Sequence, residues 1–313
     1  MATTPVPQRD SPPAPERETA RAGYGPDGRS AWLDVDWSRH QRWVEVLGRP
    51  MNVIELGEGP PLLFVHGLAG SWQNWLEQLP VFAQDHRVIA MDLPGFGASP
   101  MPRDTITIKG YARILEALCD ELEVESAPWV GNSMGGFISA ELAINSPQRV
   151  ERLVLVSAAG ITSEHQREAK LIPLMRRVEV LLAFYTAWIG KRSEIVARRP
   201  RARQLTMWSV ARHPTRLPPP LVAEQLKGSG KPGFIDAFHA LSNYPIRDRL
   251  GKIACPTLIV WGDSDKLVPT SDADVFEELI EQSRKVIYED TGHVPMFERP
   301  ARFNADLRDF LAE

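Results

Sequence analysis

The 313-residue sequence predicts an α/β fold, a mostly parallel sheet flanked by helices with a helical segment inserted late in the sheet. Three observations carry this. Short, continuous apolar runs recur along the chain, as expected of strands covered on both faces. Helix-period patterns fall between them, and strands alternating with helices imply parallel pairing through right-handed crossovers. The alternation breaks once, between Gly160 and about Pro245, where helical patterns and the turn Pro218-Pro219-Pro220 occur without a convincing strand.

Taken in order, residues 1–30 are rich in Pro, Gly, Arg and Glu, lack periodicity, and are expected to be disordered or loosely attached. The core is expected over 31–159 and 246–313, and the insertion over 160–245. Arg42–Val46 and Met51–Leu56 alternate around Gly48-Arg49-Pro50, the signature of an antiparallel hairpin. Buried strands are expected at Pro61–Val65, Val88–Met91, Trp129-Val130, Leu153–Val156, Thr257–Trp261 and Lys285–Tyr288. Helices are expected at Trp72–Leu79, Ile108–Leu122, Met134–Ile144, Asp272–Ile280 and Pro300–Leu311. Insertions in such domains sit at the loop end of the sheet, where ligands bind, so 160–245 should form a cap or lid over a site.

A hydrophobic content of 43% with 24% charged residues is that of an ordinary globular chain, long enough for one large domain or two smaller ones. The net charge of −4 argues against nucleic acid as a partner. Two cysteines, Cys119 and Cys255, make no disulfide framework. Cys119 shares an apolar helix face with Leu115, Leu118 and Leu122 and reads as a buried thiol; this usage fits a cytoplasmic protein. No signal-peptide pattern opens the chain, and no apolar run is long enough for a transmembrane helix. The nearest candidate, Leu171–Ile189, contains Arg176, Arg177 and Glu179 and reads as an amphipathic or buried helix. No metal-ligand spacing is present, and no cofactor is expected. Gly228-Ser229-Gly230-Lys231-Pro232-Gly233 spells a dinucleotide fingerprint, but no strand precedes it and Pro232 interrupts it.

The stretch Val130-Gly131-Asn132-Ser133-Met134-Gly135-Gly136 lies between an apolar strand and a helical run. Gly-x-Ser-x-Gly in that setting reads as a nucleophile elbow, with Ser133 held out above the sheet edge at a helix N-terminus. A bare match arises by chance in roughly one chain in ten of this length, so the rest of the sequence must decide. A serine nucleophile needs a base. His293, in Gly292-His293-Val294-Pro295, follows the last strand at its carboxyl end, the edge where Ser133 stands. His40 and His86 sit at the wrong end, and His165, His213 and His239 belong to the insertion. The base needs an orienting acid, and Trp261-Gly262-Asp263-Ser264-Asp265 follows a buried strand and offers two.

The pieces His66-Gly67, Asp92–Ser99, Gly131–Gly136, Trp261-Gly262-x-x-Asp265-x-x-x-Pro269 and Gly292-His293 together make the chain resemble an α/β-hydrolase from about Trp43 onward. The resemblance implies that Asp265, rather than Asp263, is the catalytic acid, completing Ser133, Asp265 and His293. It places the oxyanion donors at the backbone N–H groups of Met134 and Leu68. His66 then braces its loop, and Asp263 shapes a turn. The implied activity is serine hydrolysis of a carboxylic ester, on a small molecule with an apolar acyl or alcohol part. Asn132 beside Ser133 also resembles the meta-cleavage-product hydrolases, which break carbon–carbon bonds in anionic substrates. Two departures stand against these: Leu68-Ala69-Gly70-Ser71-Trp72 replaces their glycine-rich loop, and Val294 replaces their Trp after the histidine. A third possibility is a non-catalytic binding protein on the same fold.

The insertion is basic, with Arg176, Arg177, Lys191, Arg192, Arg198, Arg199, Arg201, Arg203, Arg212 and Arg216 facing few acids. These form either a solvated face or a surface for an anionic substrate or partner. Its apolar residues Leu181, Leu182, Phe184, Tyr185, Trp188, Met207 and Trp208 are expected to line a pocket above Ser133.

Overall fold

The computed structural model describes residues 23–161 and 188–313. Among the residues singled out above, His165, Arg176, Arg177, Leu181, Leu182, Phe184 and Tyr185 lie outside the described residues, as do residues 1–22 and most of Leu171–Ile189.

Eight strands form one sheet: β1 Gln41–Val46, β2 Arg49–Leu56, β3 Pro61–Val65, β4 Arg87–Met91, β5 Ala127–Asn132, β6 Val150–Val156, β7 Thr257–Gly262 and β8 Ser283–Tyr288. Their spatial order is β1-β2-β4-β3-β5-β6-β7-β8. The β1–β2 and β2–β4 pairs are antiparallel and all others parallel. The hairpin turn falls at Leu47-Gly48, both with positive φ, one residue earlier than Gly48-Arg49-Pro50 suggests. Pro50 therefore lies in β2 opposite Glu45, outside the stretch of β2 that pairs with β4, where its missing N–H is tolerated.

The continuous apolar strands are explained by cores on both faces. Leu63, Val65, Trp129, Ile259 and Trp261 pack into one cluster, and Leu62, Phe64, Val130, Leu258 and Val260 into the other. Alternate residues of a strand point to opposite faces, so both sets must be apolar. Each such buried side chain contributes about 2 kcal/mol. The long helices of the core are α1 Ile108–Glu121, α2 Met134–Asn145, α7 Ser271–Leu279 and α8 Pro300–Ala312. Between β6 and β7 come α3 Ser193–Arg198, α4 Pro200–Met207, α5 Pro219–Lys227 and α6 Phe234–Ser242, with no strand among the described residues. Leu115, Leu118 and Cys119 are buried on α1, which starts at a Thr107 cap whose side chain accepts from Gly110 N.

Two expectations need correction. Trp72–Leu79 is not one helix: a 3₁₀ turn covers Trp72–Trp75 and a separate α-turn covers Leu79–Phe82. Pro80 lacks an N–H, so a helix can start there but not run through it. The described part of the N-terminal segment, residues 23–30, is tied to the core rather than loose. Tyr24 is buried and its hydroxyl donates to Glu298 Oε2 at 2.7 Å. Ser30 Oγ and Trp32 Nε1 each donate to Glu77 Oε1 at 2.8 Å. Composition averaged over thirty residues hides a single aromatic anchor of this kind.

Candidate active site

Ser133 stands between the end of β5 and the first residue of α2, with φ +53° and ψ −116°, a conformation that costs a non-glycine residue about 1–3 kcal/mol. Packing holds it there. A Cβ at Gly135 would come within 2.2 Å of Val65 O and 2.6 Å of His66 O; one at Gly131 would meet the Gly135 and Gly136 backbone at 2.5 Å. The elbow is thus a three-way backbone contact of β3, β5 and α2 that only glycines permit. Ser133 N donates to Val156 O at 2.9 Å, and Ser133 O accepts from Phe137 N and Ala159 N. Met134 begins α2, so its N–H is one of the helix's unpaired leading donors.

His293 lies in the loop after β8. Its Nδ1 is 2.7 Å from Asp265 Oδ2, and the Asp265 side chain is fully buried. Asp265 Oδ1 accepts from Leu267 N and Val268 N, which fixes the carboxylate in its own turn. Asp263 is exposed and instead accepts from Thr291 N at 3.3 Å, bracing the start of the histidine loop. The two aspartates thus separate in geometry: Asp265 faces the imidazole and Asp263 faces the backbone.

The loop after β3 closes over the serine. Gly67 approaches it so nearly that an added Cβ would lie 3.2 Å from Ser133 Cβ. Leu68 follows on the cavity wall. His66 is buried, with Nδ1 2.7 Å from Gly67 O and Nε2 accepting from Leu93 N at 3.0 Å. Burial holds its pKa below the ordinary histidine value, and an accepting Nε2 requires the neutral ring. His66 therefore braces this loop against β4.

Ser133, His293, Gly67 and Leu68 line one cavity of about 520 Å³. Met207, Trp208, Ile189, Phe234, Phe238 and Leu241 from the inserted segment form much of its wall. Trp188 does not join them; it is half exposed, stacked under the Arg192 guanidinium at 5.0 Å. Beside Ser133 and His293, the polar lining consists of neutral side chains: Asn74, Asn132, Thr206, Ser209, Gln225 and Ser229. No lysine or arginine among the described residues lines it. The Gly228–Gly233 motif, preceded by α5 rather than a strand, serves packing: a Cβ at Gly228 would meet Ala69 O at 2.7 Å.

Two further residues matter here: Asn132, singled out in the sequence for another reason, and Glu298, passed over there. Asn132 Nδ2 donates to Val156 O at 3.1 Å and to His293 O at 3.3 Å, joining the elbow to the histidine loop. Glu298 is fully buried and accepts from Gly292 N, Val294 N, Arg212 N and the Tyr24 hydroxyl. It clamps both sides of His293 and ties the inserted segment to them. Burial raises its pKa, while these donors favour the carboxylate. The available signal was a lone acid in the apolar run Val294-Pro295-Met296-Phe297-Glu298. His293 N also donates to Val210 O at 2.8 Å, a second tie to the insertion.

A family model described as the alpha/beta hydrolase fold matches residues 60–300. The chain belongs to that family. Among relatives of this α/β-hydrolase, 2-hydroxymuconate semialdehyde hydrolase of Pseudomonas sp. (strain CF600) is 28% identical over 291 residues, covering 87% of this chain and 94% of the relative. Pimeloyl-[acyl-carrier protein] methyl ester esterase of Aeromonas hydrophila is 26% identical, covering 83% of this chain and all but 1% of the relative. Among solved structures, a membrane phospholipase A described as a bacterial virulence factor superposes with a TM-score of 0.70 at 29% identity, covering 87% of this chain and 85% of that one. Relatives thus include a semialdehyde hydrolase and a methyl ester esterase, and the chain is a hydrolase of this fold. No helix among the described residues is long and apolar enough to cross a membrane.

Proposed function

We propose that this α/β-hydrolase cleaves carboxylic esters of apolar, uncharged molecules through a Ser133–His293–Asp265 triad, beneath a cap formed by residues 160–245. The observation that carries the reading is the cavity wall: it is apolar with neutral polar groups, and Ser133 and His293 stand together in it. His293 takes the proton from Ser133 Oγ as the oxygen attacks the ester carbonyl. Asp265, 2.7 Å from Nδ1, holds the ring with Nε2 toward the serine and stabilises the imidazolium. The N–H groups of Met134 and Leu68 stabilise the oxyanion. The alcohol leaves with the proton carried by His293, and water releases the acid by the same route.

A second reading, carbon–carbon hydrolysis, is favoured by Asn132 and by the 2-hydroxymuconate semialdehyde hydrolase relative. Its substrates are anionic, and a cavity without lysine or arginine among its described residues offers little to hold them. In the present chain the Asn132 amide is also spent on backbone carbonyls. The test sets p-nitrophenyl esters of graded acyl length beside a vinylogous 1,5-diketone acid, with fluorophosphonate labelling of Ser133. Ester turnover with labelling is expected. Turnover of the diketone acid alone would establish the second reading, and absence of labelling and of both activities would leave a binding protein.

A further inference from the structure

We infer that the outer face of the inserted segment docks on an anionic lipid bilayer, with the mouth of the Ser133 cavity opening against it. Eight large apolar side chains are exposed among the described residues; four of them, Trp188, Ile195, Leu205 and Trp208, belong to the inserted segment and a fifth, Leu267, follows β7, all between 50% and 68% exposed. Three of these, Leu205, Trp208 and Leu267, also line the cavity, so exposed apolar side chains border its mouth.

The charge along the described part of the segment is predominantly positive. Residues 188–216 contain eight lysines and arginines and a single carboxylate, Glu194, although the whole chain carries −4. Three of the cations serve the fold: Arg203 is buried and donates to Ala197 O and Thr215 O, Arg212 pairs with Asp290, and Arg216 lies over the Tyr24 ring. The other five, Lys191, Arg192, Arg198, Arg199 and Arg201, are exposed. Arg192 and Lys266 sit over the rings of Trp188 and Trp208 at 5.0 and 5.2 Å, interleaving cation and aromatic on the surface itself.

Exposed tryptophan and leucine set among arginines match the layering of a membrane interface: apolar groups enter the acyl boundary while cations meet lipid phosphates. A second copy of this chain fits less well, because a two-fold interface would set five cations against five. Docking would admit esters partitioned in the bilayer directly to the cavity. That consequence for substrate rests on the ester reading above; the docking itself does not.

The test is co-sedimentation of the full chain with vesicles of phosphatidylcholine alone and of phosphatidylcholine mixed with phosphatidylglycerol. Binding is expected to the mixed vesicles, weakening as salt is raised. The variant R198Q/R199Q/R201Q should lose roughly a hundredfold in partitioning, at about fivefold per cation. W188S/I195S should also weaken binding, and both variants should hydrolyse soluble p-nitrophenyl butyrate at the wild-type rate. S133A should bind vesicles like wild type, so failure of the ester reading leaves this result standing. The inference is overturned if wild-type protein ignores mixed vesicles at low salt, or if R198Q/R199Q/R201Q binds as wild type does. It is equally overturned if these substitutions instead convert a dimer to a monomer in ultracentrifugation, which would make the patch a self-association surface.

Discussion

Asn132 Nδ2 donates to the main-chain oxygen of His293 at 3.3 Å, while also reaching Val156 O at 3.1 Å. The residue before the elbow serine therefore fixes the height of the histidine loop relative to β5. Asn132→Ala deletes both bonds; Val156 O keeps its bond from Ser133 N, but the His293 carbonyl loses its donor, a loss of about 2 kcal/mol in stability. Because the main effect is release of the His293 loop, with only a small change in the cavity lining, kcat on an ester should fall tenfold or so with KM changing much less, a split of the kind expected for lost positioning. Urea denaturation and steady-state kinetics on the same preparation check it; an unchanged kcat would reduce Asn132 to a purely structural role.

The two aspartates after β7 make opposite predictions. Asp265→Asn keeps the shape but favours the wrong imidazole tautomer, and activity should drop on the order of 10⁴-fold. Asp263→Asn keeps an oxygen that can accept the long bond from Thr291 N and should leave kcat/KM within about fivefold of wild type. Comparable losses in both variants would contradict the assignment of Asp265.

Ser133 has a conformation suited to glycine, so function and stability should oppose one another at this position. Ser133→Gly should raise the unfolding free energy by about 1 kcal/mol, the relief of strain exceeding the added chain entropy. Ser133→Ala keeps the strained φ and should not stabilise. Both should lower ester hydrolysis at least about 10⁴-fold. Thermal denaturation that ranks alanine above glycine would show that Ser133 carries no strain.

Acid should loosen the attachment of the inserted segment. Burial pushes the Asp290 carboxyl up, but hydrogen bonds and charge from Arg212 and His213 outweigh it and hold the pKa below the usual carboxylate value. With the folded pKa below the unfolded one, the contribution of Asp290 is complete above about pH 4 and is lost as pH falls through the folded value. Asp290→Asn should therefore be less stable than wild type at neutral pH, and the gap should close in acid. A gap that widens on acidification, measured by urea midpoint against pH, would reverse the sign and refute the argument.

The Tyr24 anchor gives a local test of the N-terminal segment. Tyr24→Phe keeps the buried ring but deprives Glu298 of one donor, at a cost of about 1–3 kcal/mol because the acceptor is a buried acid. Unchanged stability would show that the segment rests on the core without supporting it.

Much of this molecule was legible in one dimension. Apolar runs such as Leu62–Val65 and Leu258–Trp261 gave the buried strands because a strand covered on both faces cannot alternate. Gly131 and Gly135 marked the elbow because a turn that tight excludes side chains at fixed offsets. Ser133, His293 and the pair Asp263 and Asp265 could be picked out since each follows a strand at the same sheet edge, a consequence of parallel topology; the choice of Asp265 within the pair came from the resemblance to α/β-hydrolases. Other features needed the folded chain. The clamp of Tyr24, Arg212 and Glu298 joins residues separated by as many as 274 positions, and no local pattern encodes such a meeting. The cavity wall was equally hidden: the insertion reads as basic, yet its exposed cations turn outward while its apolar faces turn toward Ser133. Periodicity tells which residues share a face of an element; only packing decides what that face meets.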